Sequence, residues 1–155
     1  LPSIKIPEGL PLLKTPTEGQ SVAADYNSLG LTLRRHPLAL LRKRLRRHSI
    51  SSADELQYMS DNRLVHVAGL VVTRQRPSSA KNVTFVTLED ETGCINLIVW
   101  EAVAERQRWV LLNAVLLGVC GRLQRQDGVT HVIASQLEDH TSLLEGLTAK
   151  SRDFH

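Results

Sequence analysis

The feature that most constrains this chain is a change of hydrophobic period near residue 63. Upstream, leucines recur at three- and four-residue spacing; downstream, apolar and polar residues alternate in five runs separated by turn formers. Arg63 to Gln75 reads as a long first strand carrying Val65, Val67, Leu70 and Val72, and Gly69 within it predicts a bulge or tight bend. A Pro, Ser and Lys loop over 76–82 follows. Val83 to Glu89 and Cys94 to Trp100 are then an antiparallel pair joined by Asp90, Glu91, Thr92 and Gly93. Ala102 to Trp109 is helical, Val115 to Gln126 is the fourth strand, and Asp127-Gly128 turns it into a fifth, Val129 to Leu137. Three strands, a helix and two strands is the order of an OB-fold, a mainly β five-stranded barrel with a helix between strands 3 and 4. An SH3-like barrel shares the strand spacing, and the helix after the third strand favours the OB arrangement. With 155 residues, 42% of them hydrophobic, the chain is long enough for one core and one domain with appendages.

Those appendages are read as follows. Residues 1–20 hold four prolines and two glycines without a period, an extended leader. Residues 21–61 form a small helical segment: a helix from Val22 to Leu29 capped by Gly30, a second opened by Pro37 with Leu38, Leu41 and Leu45 on one face, and a short third over 53–59 announced by the Ser52/Glu55 capping-box spacing. The OB-fold domain occupies 62–140 and a tail 141–155, with a frayed helix over 138–149 and a mobile polar end. Leu143, Leu144 and Leu147 in the tail are either a patch for a partner or a cap on the barrel. The chain starts with Leu1 and its only methionine is Met59, as expected of a piece of a longer protein.

Cys94 and Cys120 lack CxxC spacing and are expected as small packed residues in a reducing, cytoplasmic setting. No run approaches the ~18 apolar residues of a membrane span, so no membrane is expected. The net charge is only +3, but Arg34, Arg35, Arg42, Lys43, Arg44, Arg46 and Arg47 crowd together without an acid between them. Arginine supplies 14 of the 19 basic residues, and its planar fork suits phosphates and carboxylates.

No catalytic constellation is legible. Glu89, Asp90 and Glu91 sit at a hairpin and read as a solvated turn rather than a metal-binding pair, and six scattered histidines lack ligand spacing, so neither a catalytic residue nor a metal or cofactor is expected here. Binding is better supported. OB-folds grip single strands with the face of strands 2 and 3 and the loops joining strands 1–2 and 4–5. The first loop holds Arg74, Arg76 and Lys81, the second is flanked by Arg122 and Arg125, and Phe85 and Asn96 are candidates on the strand face. Arg42 and Arg46 on the basic helix either contact phosphate or form a solvated face. Phe85, Trp100 and Trp109 are the only large rings near the barrel; at least two are expected in the core, leaving Phe85 or Trp100 to stack on bases or to pack under the helix.

Gly69-Leu70-Val71, Arg74-Gln75-Arg76-Pro77, Ala80-Lys81, Phe85 to Gly93 and Val99-Trp100 together resemble the C-terminal OB region of bacterial C-family polymerase alpha subunits. Glu105 to Arg108, Gly121 to Arg125 and Ser151 to His155 are similar to their error-prone paralogues of the ImuC type. Upstream, Asp25-Tyr26, Gly30-Leu31 and His36-Pro37 look like the segment after the family's helix-hairpin-helix region. The resemblance implies a non-catalytic accessory module of an error-prone DNA polymerase used in SOS mutagenesis, DNA repair and translesion synthesis. The parent nucleotidyltransferase would use Mg2+ in a palm domain far upstream. Implied partners are single-stranded or primer-template DNA, ImuB and ImuA, with the sliding clamp reached through ImuB; the alternative is a protein-docking module without DNA contact.

Overall fold

The structure, a computed structural model, describes residues 35–79 and 82–153, with side chains in the last helix as far as Leu147. The leader, the Val22 to Leu29 helix with its Gly30 cap, Arg34, Lys81 and the last two residues lie outside the described residues. Five strands close into a barrel: β1 (Leu64–Gln75), β2 (Val83–Asp90), β3 (Gly93–Trp100), β4 (Leu116–Gln126) and β5 (Val129–Asp139), in the order β1-β2-β3-β5-β4. Only the β3–β5 contact is parallel. This is the five-stranded OB barrel expected from the strand order.

Closure depends on β1 serving two partners. Its first half pairs with β4, from Leu64 opposite Arg122 to Leu70 opposite Leu116, and its second half pairs with β2, from Leu70 opposite Glu89 to Gln75 opposite Phe85. The register shift that bends it falls between Val71 and Thr73, not at Gly69. Gly69 instead permits close approach, since a Cβ there would sit 2.9 Å from Leu88 Cβ and 3.0 Å from the Glu89 carbonyl. The β4–β5 turn is built as its residues predict, with both Asp127 and Gly128 at positive φ.

Two helices flank the N-terminal edge. In α1 (Pro37–Arg47), proline occupies the first turn, the His36 ring accepts from the Leu38 N–H, and Leu38, Leu41 and Leu45 are buried. The capping box of α2 (Ala53–Leu56) forms through Ser52 and Glu55, although the regular helix ends three residues short of the expected 59.

Between β3 and β4 the expected single helix is two, α3 (Glu101–Arg106) and α4 (Arg108–Asn113). The break is at Gln107, whose side chain donates to the Leu137 carbonyl at 2.7 Å and accepts from the Leu137 N–H at 2.8 Å. It thereby satisfies one β5 residue whose backbone would otherwise lack partners on that side.

Val67, Leu88, Leu97, Val99, Leu117, Val119 and Leu123 fill the barrel, and Val103 and Leu111 plug it from α3 and α4. A second cluster lies outside: α5 (Thr141–Asp153) buries Leu144 and Leu147 against Leu38, Leu41 and Leu45 of α1 and against Leu70 and Leu116. The tail leucines are therefore a cap, not a free patch. Each buried leucine contributes roughly 1.5–3 kcal/mol.

Candidate nucleic-acid interface

The acidic β2–β3 turn is not solvated, contrary to its sequence reading. Asp90 is 2% exposed and accepts from the N–H groups of Ala53 (2.7 Å), Thr92 (2.7 Å) and Gly93 (3.1 Å) and from the Thr92 hydroxyl (2.8 Å). Arg42 grips Glu91 with two parallel hydrogen bonds of 2.7 Å and reaches Asp90 at 3.4 Å, while the His36 ring meets Glu89 at 3.4 Å. The turn is thus an anchor for α1 and α2, made possible because the basic helix lies over it. Burial pushes the Glu91 carboxyl up, but the hydrogen bonds and charge of Arg42 outweigh it and hold Glu91 below its ordinary 4.5. A carboxyl lowered on folding adds stability above its unfolded value and loses it as pH falls through its folded value. Melting temperature should therefore fall as the solution is acidified below about pH 4.5. In Glu91→Gln that acid loss is expected to be smaller, as thermal melts between pH 3 and 7 (~4 units) would read.

The expected phosphate ligands divide into engaged and open groups. Arg74 donates from Nε to the Leu111 carbonyl and from Nη2 to the Ala114 carbonyl, both at 2.6 Å, tying β1 to the end of α4; burial pulls its guanidinium below its ordinary value. Arg125 gives Nη1 to the Met59 carbonyl (2.9 Å) and Nη2 to the Leu56 carbonyl (2.8 Å), at the C-terminal end of α2. Asp90 sits at the N-terminus of that helix and Arg125 at its C-terminus, each sign where the helix dipole favours it. Arg42 is committed to the acidic turn. Arg46 pairs with Glu55 at 3.1 Å and Arg76 with Glu101 at 3.4 Å, both on the surface, and Arg122 reaches the Asn62 carbonyl at 2.8 Å while remaining exposed. Lys43, Arg44 and Arg47 of α1 are exposed and have no salt bridge among the described residues. Charge counting had weighted the loops; the open cations are on the helix.

Phe85 and Asn96 do share a face. On the outside of β2 and β3, Phe85 lies opposite Ile98 and Thr87 opposite Asn96; the same outer row continues from Ile98 to Ile133 of β5 and from Ile133 to Arg122 of β4. Phe85, Ile98 and Ile133 are half-buried and Asn96 is exposed. Beside this face a groove of about 450 Å³ runs between α2, β3 and the β4–β5 turn, lined by Gln57, Cys94, Asn96, Arg125, Thr130 and Val132. The rings expected in the core are elsewhere: Trp109 is 66% and Trp100 50% exposed, and Leu112, one turn from Trp109 on α4, is also exposed. Helix α4 buries only Leu111, so its outer face has nothing to cover it among the described residues.

Cys94 is exposed on the groove wall instead of packed, and Cys120 is half-buried, its thiol pushed up by burial and by nearby Glu138. A grouping invisible in the sequence lies beside it. His66 of β1 and His140, just after β5, both bring Nε2 to Glu138 Oε1, at 3.0 and 3.2 Å. Burial raises the Glu138 carboxyl, and the hydrogen bonds and charges of the two histidines outweigh it, leaving it lowered. The signal available was the alternation Glu138-x-His140, which puts both on one face of an extended strand; His66, 72 positions away, required the register.

Residues 65–139 match the family described as an OB-fold nucleic acid binding domain. A nucleic-acid-binding fold class is thereby assigned to the barrel. Nearly the whole chain is similar to proteins named error-prone DNA polymerase: 55% identical to that of Alkalilimnicola ehrlichii over 98% of this chain and 15% of the relative, and 53% identical to that of Methylococcus capsulatus over 95% and 14%. The chain thus spans about one seventh of the curated relatives it matches, and the resemblance carried by Gly69 to Trp100 is to error-prone DNA polymerases. Asparaginyl-tRNA synthetase from Pyrococcus horikoshii shares the fold alone, with a TM-score of 0.50 and 21% identity over 59% of this chain and 22% of the synthetase. No helix among the described residues is long and apolar enough to cross a membrane.

Proposed function

We propose that this chain is the accessory OB module of an error-prone DNA polymerase of the ImuC type, acting in the cytoplasm during translesion synthesis and damage-induced mutagenesis, and that it holds single-stranded or primer-template DNA. The observation that carries this reading is the open outer face of β2 and β3. Phe85 with Ile98 and Ile133 offers bases a surface to stack on, and Thr87 and Asn96 offer donors and acceptors beside it. Helix α1, tied to the end of this face by Arg42, presents Lys43, Arg44 and Arg47 to the backbone, with Arg122 at the far rim. The Mg2+ of the parent would be held elsewhere, because Asp90 and Glu91 here are already bound by amides and Arg42.

Titration with fluorescent single-stranded DNA at several salt concentrations tests this. Replacing Lys43, Arg44 and Arg47 by alanine should flatten the slope of log affinity against log salt by about 2, at ~0.7 per phosphate released. Phe85→Ala should instead lower affinity about 5- to 100-fold with the slope kept, the effect of losing one stacked base. Unchanged slope and affinity in both would sink the assignment. The exposed Trp100, Trp109 and Leu112 favour a second reading, in which the α4 side docks a protein, with ImuB, ImuA and through ImuB the clamp as candidates. Retention of ImuB by the wild type but not by Trp109→Ser, without DNA binding by either, would select it.

A further inference from the structure

We propose that His66, Glu138 and His140 form a binding site for a divalent transition-metal cation of the zinc class. Nε2 of His66, Oε1 of Glu138 and Nε2 of His140 lie within 4.8 Å of one another. Two imidazoles and a carboxylate are a three-ligand set that zinc accepts, leaving a fourth position open to water. Bonds of ~2.0–2.1 Å around a tetrahedral ion put neighbouring ligand atoms ~3.3 Å apart. The two nitrogen–oxygen separations already present are 3.0 and 3.2 Å, so the cation would enter with small rotations of the side chains.

The rings are positioned before any ion arrives. The His140 backbone N–H donates to the Leu116 carbonyl at 2.9 Å and its carbonyl accepts from the Leu143 N–H at 3.0 Å, fixing the residue at the start of α5. Its imidazole lies over Gly118, where a Cβ would come within 2.5 Å of the ring. Any other residue at 118 would push His140 off Glu138. Glu138 has no Lys or Arg partner among the described residues; its only ion-pair neighbours are the two imidazoles. A bound cation would join β1, β5 and the first turn of α5 at one point, pinning the helix that caps the second cluster against the barrel.

Cobalt(II) titration of the 155-residue chain, followed by its visible d–d bands, tests the site. One equivalent of four- or five-coordinate Co2+ should bind and be displaced by Zn2+, and excess Zn2+ should raise the melting temperature by several degrees. His66→Gln, Glu138→Gln and His140→Gln should each lose both effects, while His131→Gln and His48→Gln keep them. Circular dichroism without metal identifies the variants that fold, and only those are compared. Absence of Co2+ bands and of a Zn2+ shift in the wild type, or their persistence in the folded ligand variants, would overturn the proposal.

Discussion

Gly121→Ala is expected to destabilise the barrel by about 3 kcal/mol or more, and in the extreme to leave no cooperative unfolding transition. A Cβ at 121 would stand 2.3 Å from the Ile133 carbonyl oxygen and 3.0 Å from its carbon, with Val132 Cγ1 also at 3.0 Å. These are mostly backbone atoms, which cannot rotate away as a side-chain tip can. The register of β4 on β5 shifts between Cys120 and Gly121, so the two chains are pressed together just where the ladder is irregular. Relief would mean parting the two strands, whose paired residues run from Leu117–Asp139 to Gln126–Val129. Urea denaturation reads the result: a large drop in midpoint supports the close approach, and a midpoint within about 0.5 kcal/mol of wild type would contradict it.

Asp90→Ala is the second large effect, expected at about 3–5 kcal/mol. The substitution strands the Ala53, Thr92 and Gly93 N–H groups and part of Arg42 in a site closed to water. Asp90→Asn should recover part of the loss, because one oxygen can still accept. Arg42→Ala should cost less, as Glu91 is near enough to the surface to rehydrate. The double variant Arg42→Ala with Asp90→Ala should cost less than the sum of the singles, since the two side chains share one hydrogen-bonded network. Strict additivity would mean that α1 and the turn are not coupled through this contact.

What could be read in the sequence was whatever a local rule encodes. Alternation marked all five strands, Asp127-Gly128 marked its hairpin, and Ser52 with Glu55 marked a capping box that forms. What could not be read depended on partners distant along the chain. Gln107 breaks a helix only because Leu137 waits across the barrel. Arg74 and Arg125 looked like phosphate ligands until the carbonyls of Leu111, Ala114, Leu56 and Met59 arrived within reach. Charge density shows how many cations a segment has, not what they face; that is why Lys43, Arg44 and Arg47 were indistinguishable from Arg42. The tryptophans failed for a related reason: a barrel filled by valine and leucine has no room for rings, and they are left outside.

That outward placement of Trp100 and Trp109 changes how the molecule can be watched. Both indoles are at least half in water in the folded state, so unfolding will shift their emission little, and fluorescence will under-report a transition that circular dichroism records fully. The same exposure makes them sensitive to anything that settles on them. A blue shift or quenching on adding DNA or a protein would reveal contact with the α4 side of the barrel, without any label attached.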